Sequence, residues 1–172
     1  MNDFLQLAKG RFSVRKYKDA PVEEDKLSLI LEAAKLAPTA CNNQPQKIFV
    51  VKSEKMRAAL AGVTPCTFSA PVIFVIGYDS ALSAKGLIAP GFDFGTIDAS
   101  ITCTHMMLEA AELGLGSCWV GNFSEQKVRA ALGIDESICI RALLPVGYAA
   151  DGTVPFYMHE TYRDMSAMVT EL

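Results

Sequence analysis

The sequence lacks the features that mark secreted and membrane-spanning proteins. Its five cysteines are odd in number, widely spaced and without a CxxC pair, which indicates reduced thiols rather than a disulfide framework. The first residues lack the basic start and apolar run of a signal peptide. The longest apolar stretch, residues 94–115, is interrupted by ionisable side chains such as Asp98 and His105, so it does not qualify as a transmembrane span. We therefore expect a cytoplasmic protein that is not bound to a membrane.

Basic tracts and clustered metal ligands are also absent. The chain has 16 Lys and Arg against 19 Asp and Glu, for a formal net charge of −3, so nucleic acid is not expected as a partner. The two histidines are His105 and His159, and the pair Cys103 and His105 has no second pair of ligands nearby, so no metal site is expected. No nucleophile elbow, P-loop or zinc motif is present, and we expect no catalytic side-chain nucleophile.

Length and composition favour one domain that spans residues 1–172. A chain of 172 residues is long enough to bury a sizeable core. Its hydrophobic content of 51% is high for so short a chain. The surplus apolar surface could be buried between subunits, so we expect an oligomer, most simply a two-fold dimer.

Apolar periodicity, caps and prolines predict helices and strands that alternate along the chain around one sheet. The predicted helices span residues 3–9, 23–37, 53–61, 93–114 and 124–133, and the predicted strands span 48–51, 72–76, 117–120 and 138–147. The second strand is apolar throughout, so we expect it to be buried on both faces. The fourth helix is apolar over most of its circumference, which predicts a central helix covered on all sides. Residues 80–91 are interpreted as a mobile excursion, and the tail after residue 157 as helical in its final turns.

Arg11, Ser13 and Arg15 occupy alternate positions of a polar segment that follows the first helix. In an extended segment, residues two apart point to the same face, so two guanidinium groups and a hydroxyl would converge. Such a set suits a phosphate, because arginine offers bidentate donors. The alternative is a solvated strand face without a ligand, and the segment taken alone leaves both interpretations open.

Two further segments could contact a ligand. The loop at residues 38–45 is bounded by prolines, and its polar amides could pair with the edge of a heterocycle, although its composition alone favours an ordinary connection. The glycines of residues 113–122 do not form a dinucleotide fingerprint, because they follow a helix and precede a strand. Gly114 is interpreted as a helix cap, whereas Gly121 would allow backbone to approach a planar ligand closely.

Four motifs in a fixed order resemble the nitroreductase family. An Arg-x-Ser-x-Arg-x-aromatic segment at residues 11–17 follows the first helix, and an Ala-Pro-Thr-x-x-Asn-x-Gln-Pro loop at 37–45 follows the second. A helix ending Leu-Glu-Ala-Ala-Glu-Leu-Gly-Leu-Gly then runs into Trp-Val-Gly, over residues 108–121. Arg163 completes the set. The resemblance covers essentially the whole chain and is carried by the order of the motifs.

The resemblance implies an α+β fold with a mixed central sheet flanked by helices and a long buried central helix. It also implies a homodimer with FMN bound at each of two sites in the subunit interface. Arg11, Ser13 and Arg163 match the phosphate ligands of the family. Arg15 matches the basic position nearer the flavin pyrimidine, where a cation would stabilise negative charge on the reduced ring.

The resemblance also assigns two segments to the isoalloxazine ring. One is the loop that packs on the ring from the partner subunit, and its matching residues are Pro38, Thr39, Ala40 and Asn42. The other is the segment whose backbone N–H groups face flavin N5 and O4, and its matching residues are Val120, Gly121 and Asn122. Phe12 and Gln44, which adjoin matched positions, are the remaining implied cofactor contacts.

The activity implied is electron transfer from NADH or NADPH, through the bound flavin, to a nitroaromatic, a quinone or a similar acceptor. Donor and acceptor would use the same flavin face in turn, which is ping-pong behaviour, and the flavin would carry the chemistry without a catalytic side chain. Alternatives on the same scaffold are a flavin reductase or a reductase of activated alkenes. A different class is a flavin-binding protein without turnover, for storage or sensing. The short segment between Tyr78 and Phe92 suggests a more open acceptor pocket than a longer lid would give.

Overall fold

The computed structural model describes residues 3–172 as an α+β fold built on one four-stranded sheet. Its helices are α1 (Asp3–Gly10), α2 (Glu24–Leu36), α3 (Glu54–Ala61), α4 (Gly95–Glu112) and α5 (Glu125–Leu132). Its strands are β1 (Gln46–Val51), β2 (Val72–Asp79), β3 (Gly116–Ser117) and β4 (Ile138–Gly147). Short 3-10 turns occupy Ala40–Asn42, Pro65–Thr67 and Met165–Ala167. Among the described helices, none is both long and apolar enough to cross a membrane.

The sheet has the order β1-β2-β4-β3, and its neighbouring strands pair antiparallel. A parallel contact is made by the isolated bridge between Ser13 and Ser117. β2 lies in the interior of the sheet and is buried along all but its last residue, which confirms the prediction of a strand covered on both faces. β4 has the predicted bounds, 138–147.

Helices cover both faces of the sheet, as the alternation of side chains along β2 dictates. Phe74 and Ile76 point toward α2 and α4, and they pack there with Met106. Ile73, from the other set of alternate positions, packs with Leu60 of α3 and the residues of α5. The sheet therefore has an apolar layer on each side, which explains why the chain is so rich in apolar residues.

α4 is the long central helix that the sequence predicts. Its buried residues, which include Ala99 and Cys103, face the sheet and α2. Ile97 is 44% exposed, so the helix is not covered on all sides within one chain. The elements that pack on α4, chiefly α2 and the sheet, cover only part of its circumference.

Helix caps were predicted correctly, whereas two segments differ from expectation. The hydroxyls of Ser53 and Ser124 accept backbone N–H groups at the starts of α3 and α5, and Gly133 ends α5 in a left-handed conformation. β3 has only two residues, because beyond Ser117 the backbone meets β4 only through one long hydrogen bond, from the Cys118 N–H to the Pro145 carbonyl at 3.3 Å, and through the isolated bridge of Val120 with Leu143. The end of the tail has one 3-10 turn instead of a helix, since the side chains of residues 160–172 are exposed and do not pack on an apolar surface of the described residues.

β2 and β4 are offset by one residue at Arg141, which has no partner in the pairing register. This β-bulge frees the Ile140 N–H, which donates to Glu125 Oε1 at 3.0 Å. Glu125 also forms ion pairs with Arg129 and Arg141 at 2.7 and 2.8 Å. Burial opposes ionisation of Glu125, but these hydrogen bonds and charges lower its pKa below the ordinary value. The carboxylate of Glu125 thus balances the positive charge of Arg141, the bulged residue.

Candidate functional site

Residues 11–17 run beside β3 in an extended conformation and join the sheet only through isolated bridges. The Val14 N–H donates to the Ser117 carbonyl at 2.9 Å, and the Val14 side chain is buried against Gly116. A Cβ at Gly116 would lie only 2.7 Å from Val14 Cγ2, so this close approach requires glycine. The Tyr17 hydroxyl contacts the carbonyl oxygens of Val14 and Pro145 at 2.8 and 3.1 Å. Burial of this hydroxyl raises the pKa of Tyr17 far above its ordinary value, so the anchor stays neutral.

Arg11, Ser13 and Arg15 all act on the thiol of Cys118. Burial raises the pKa of Cys118, and Arg15, Ser13 and Arg11 each oppose that rise. Ser13 and Arg15 line a cavity of about 270 Å³. The guanidinium groups of Arg11 and Arg15 form no ion pair within residues 3–172. The two cations are therefore available to an anionic ligand.

Arg11 and Phe12 also line a second cavity, of about 350 Å³, at the C-terminal end of α4. The ring of Phe12 makes an edge-to-face contact with His159, whose Nε2 lies 2.9 Å from the Lys9 carbonyl. The tail of the chain thus passes close to Phe12. Arg163 follows four residues later with an exposed side chain, and no carboxylate in the described part of the chain pairs with it.

The loop at residues 38–44, which follows α2, is exposed but highly constrained. Cys41, Asn42 and Gln44 have φ angles of 55°, 54° and 50°, a left-handed conformation that is uncommon outside glycine. Within the loop, the hydroxyl of Thr39 accepts the Gln44 N–H at 3.0 Å, and the Gln44 side-chain amide donates to the Asn42 carbonyl at 3.3 Å. Pro38 is exposed at the start of the loop, and Thr39 is partly buried. These bonds hold the polar groups of the loop in one arrangement.

Asp98 is a residue of this region that the motifs did not single out. Its Oδ1 accepts the Ala40 N–H at 2.9 Å, although the two residues are 58 positions apart, and its side chain is 1% exposed. The sequence carries a signal for it, namely an acidic residue inside an otherwise apolar helix. That signal counts against a membrane span but does not reveal which loop the carboxyl group contacts.

Residues 120–122 form an open edge beside the 11–17 segment. Val120 is buried and exchanges two backbone hydrogen bonds with Leu143, at 2.9 and 3.0 Å. Gly121 faces open space, because a Cβ added there would meet no atom within 4 Å. Asn122 is exposed, and so is Trp119 at 48%. Because the Val120 N–H is already donated to Leu143, the open space beside Gly121 is where a planar ligand can approach this fixed backbone.

The predicted site residues fall into two groups that one chain does not bring together. The 38–44 loop is tied to α4 at Asp98, whereas Arg11 lines the same cavity as Ala111 near the other end of that helix. Thirteen residues of helix separate Asp98 from Ala111, which is about 20 Å along the axis. Arg11 and the 38–44 loop therefore lie near opposite ends of α4.

The segment between β2 and α4 forms a short hairpin, defined here as residues 85–93. Lys85 and Asp93 form an ion pair at 2.6 Å across its base, and its tip carries Leu87 and Ile88, both almost fully exposed. Burial opposes ionisation of Asp93, but hydrogen bonds from Lys85 and from the Gly95 N–H lower its pKa to about 2. The predicted mobility of this region stays a prediction.

Comparison with known proteins gives a consistent result. The model of the nitroreductase family matches residues 8–66 and 64–148. A protein of Methanothermobacter thermautotrophicus, named as a candidate NADH dehydrogenase/NAD(P)H nitroreductase, is 32% identical over 156 residues, which cover 87% of this chain and 78% of the relative. A nitroreductase family protein of Clostridium difficile 630 has a crystal structure that superposes with a TM-score of 0.90 at 32% identity, covering 99% of this chain and 98% of the other.

A second solved structure carries a ligand. It is a candidate nitroreductase from Desulfovibrio desulfuricans, solved in complex with FMN. It superposes with a TM-score of 0.86 at 25% identity and covers 100% of this chain and 98% of the other.

Proposed function

The chain belongs to the nitroreductase family, and from this we propose that it is an FMN-dependent oxidoreductase that takes electrons from NADH or NADPH. Its acceptor is a nitroaromatic, a quinone or a similar compound. The observation that carries the proposal is the pair of guanidinium groups, Arg11 and Arg15, which flank Ser13 in the sequence and each line a cavity without a carboxylate partner among residues 3–172.

The donor set fits a flavin mononucleotide. Arg11 and Ser13 would hold the phosphate, because a guanidinium group and a hydroxyl both donate to phosphate oxygens. Arg163 would add a second phosphate cation from the tail, which already passes beside Phe12 through His159. Arg15, two residues beyond Ser13, would face the pyrimidine edge of the ring, where its charge favours the anionic reduced form.

The division of the site into two groups supports a dimer. If the 38–44 loop packs on a flavin ring, that ring would belong to another copy of the chain, because Arg11 of the same chain lines a cavity with Ala111, about 20 Å along the α4 axis from Asp98. Exposed apolar side chains are available for a subunit contact, among them Ile97 on α4 and Phe156 and Met165 in the tail. We therefore place the FMN between two subunits related by two-fold symmetry.

The protein's own groups would bind, orient and shield the cofactor. When bound, FMN supplies hydride acceptance from the nicotinamide and electron delivery to the acceptor. The backbone N–H groups of Gly121 and Asn122 would face N5 and O4, because Gly121 lies beside open space. Val120, whose own N–H is donated to Leu143, would hold this segment in place. Donor and acceptor would occupy one exposed face in turn, so no side-chain nucleophile is needed.

Steady-state kinetics tests this proposal. NADH or NADPH oxidation is measured at several fixed concentrations of a quinone, with parallel double-reciprocal lines expected for a shared site. A family of intersecting lines would contradict the ping-pong order. The same assay with free FMN or an activated alkene as acceptor separates flavin reduction and alkene reduction from nitroreduction. Protein that binds FMN but oxidises no nicotinamide with any acceptor would indicate a storage or sensing role instead.

A further inference from the structure

Asp98 is a carboxyl group buried in α4, four residues into the helix. Its Oδ1 accepts the Ala40 N–H, whereas its Oδ2 is buried and has no hydrogen-bond partner within residues 3–172. Burying a carboxyl group is unfavourable unless hydrogen bonds replace those it made with water. The bond to Ala40 is the only side-chain hydrogen bond that offsets this cost in the described part of the chain.

Ala40 stands at the start of the strained part of the loop. The Asn43 N–H donates to its carbonyl at 3.2 Å, so Ala40 closes the turn that contains the left-handed residues Cys41 and Asn42. Left-handed conformations outside glycine persist only where surrounding contacts hold them. Asp98 is such a contact, because it fixes the first backbone N–H of the turn to a rigid helix.

We propose that Asp98 is a positioning residue that fixes Ala40, and with it the face that the 38–44 loop presents to the flavin of the partner subunit. The inference rests on the proposed FMN site. Asp98 contacts backbone of the loop and no reacting atom, so its effect on the cofactor is indirect. A displaced loop would pack less closely on the ring.

The test compares four variants of the full-length protein. Asp98→Ala removes the acceptor, and Asp98→Asn keeps an oxygen at the Oδ1 position. Thr102→Val is the matched control, because Thr102 lies one turn further along α4, is 0% exposed and also has a buried hydroxyl without a partner among the described residues. Ala40→Pro removes the N–H donor without touching the core. Thr39 already has φ −131° and ψ 154°, the extended conformation that precedes proline.

Two readouts are measured on each variant. The first is hydrogen exchange of the peptide that spans residues 38–44 in flavin-free protein, and the second is FMN affinity by fluorescence titration. We expect Asp98→Ala and Ala40→Pro to speed exchange in that peptide and to weaken FMN binding by about tenfold or more. Asp98→Asn and Thr102→Val should match the unaltered protein in both readouts. If Asp98→Ala does not fold, Ala40→Pro makes the same test from the loop side.

Several outcomes would overturn the inference. One is unchanged loop exchange in Asp98→Ala and Ala40→Pro, and another is an Asp98→Asn variant as impaired as Asp98→Ala. If Asp98 only stabilised the fold, Asp98→Ala would lower thermal stability without a specific increase of hydrogen exchange in residues 38–44. That result would also overturn the inference. If the unaltered protein does not bind FMN, the proposed function fails, but faster exchange in the loop of Asp98→Ala would still support the anchor and unchanged exchange would still refute it.

Discussion

Replacement of Arg11 by alanine should weaken FMN binding through loss of one phosphate cation. Arg11 has no carboxylate partner among residues 3–172 and stands two residues before Ser13, so its charge is available to a phosphate. A hydrogen bond to a charged group contributes about 1.5–3 kcal/mol. That corresponds to a rise in Kd of about 10- to 150-fold.

The assay is a titration of flavin-free protein with FMN, followed by flavin fluorescence. Lys55→Ala is the matched control, because it removes the same charge from an exposed position on α3, away from the site. Riboflavin provides a second control, since it lacks the phosphate and Arg11→Ala should leave its affinity unchanged. If Arg11→Ala and Lys55→Ala bind FMN equally well, or if riboflavin loses as much affinity as FMN, the phosphate assignment is refuted.

Three further predictions concern assembly and stability. Ile97→Lys should place a charge in the subunit interface and convert the dimer to monomer in sedimentation velocity; an unaltered sedimentation coefficient would remove α4 from the interface. Gly77→Ala should lower the free energy of unfolding in urea by about 1–3 kcal/mol, because its Cβ would lie 2.4 Å from the Cys139 carbonyl oxygen; unchanged stability would contradict this. The pKa of Asp93 is lowered from 3.8 to about 2 beside Lys85, so its ion pair stabilises the fold fully above about pH 4 and is lost as pH falls toward 2. Asp93→Asn should abolish this part of the acid dependence of thermal unfolding, and an unchanged dependence would exclude it.

Local signals in the sequence were sufficient for most of the secondary structure. The cap hydroxyls of Ser53 and Ser124 and the left-handed Gly133 act on their nearest neighbours, so their positions could be predicted from a few residues. The conformation of the last residues of the tail depends on what they pack against, and within residues 3–172 their side chains are exposed. A helix prediction there failed because local pattern cannot supply that missing contact.

The candidate site was predictable in its parts but not in its geometry. Arg11, Ser13 and Arg15 alternate along the 11–17 segment, and their convergence on one ligand stays a prediction, since Arg11 lines one cavity and Ser13 and Arg15 line another. The bond between Asp98 and Ala40 joins positions 58 apart, so no local pattern contains it. The distance between the loop and the arginines also depends on where α4 lies in the fold, which only the three-dimensional structure reveals.

The visible absorption spectrum of the purified protein, before and after anaerobic addition of NADH or NADPH, tests the central claim most directly. We expect yellow protein, or colourless protein that becomes yellow and retains added FMN, whose flavin absorption bleaches with the nicotinamide. Protein that stays colourless with added FMN would contradict the cofactor assignment of Arg11, Ser13 and Arg15. Bound flavin that neither nicotinamide bleaches would contradict the proposed electron donor.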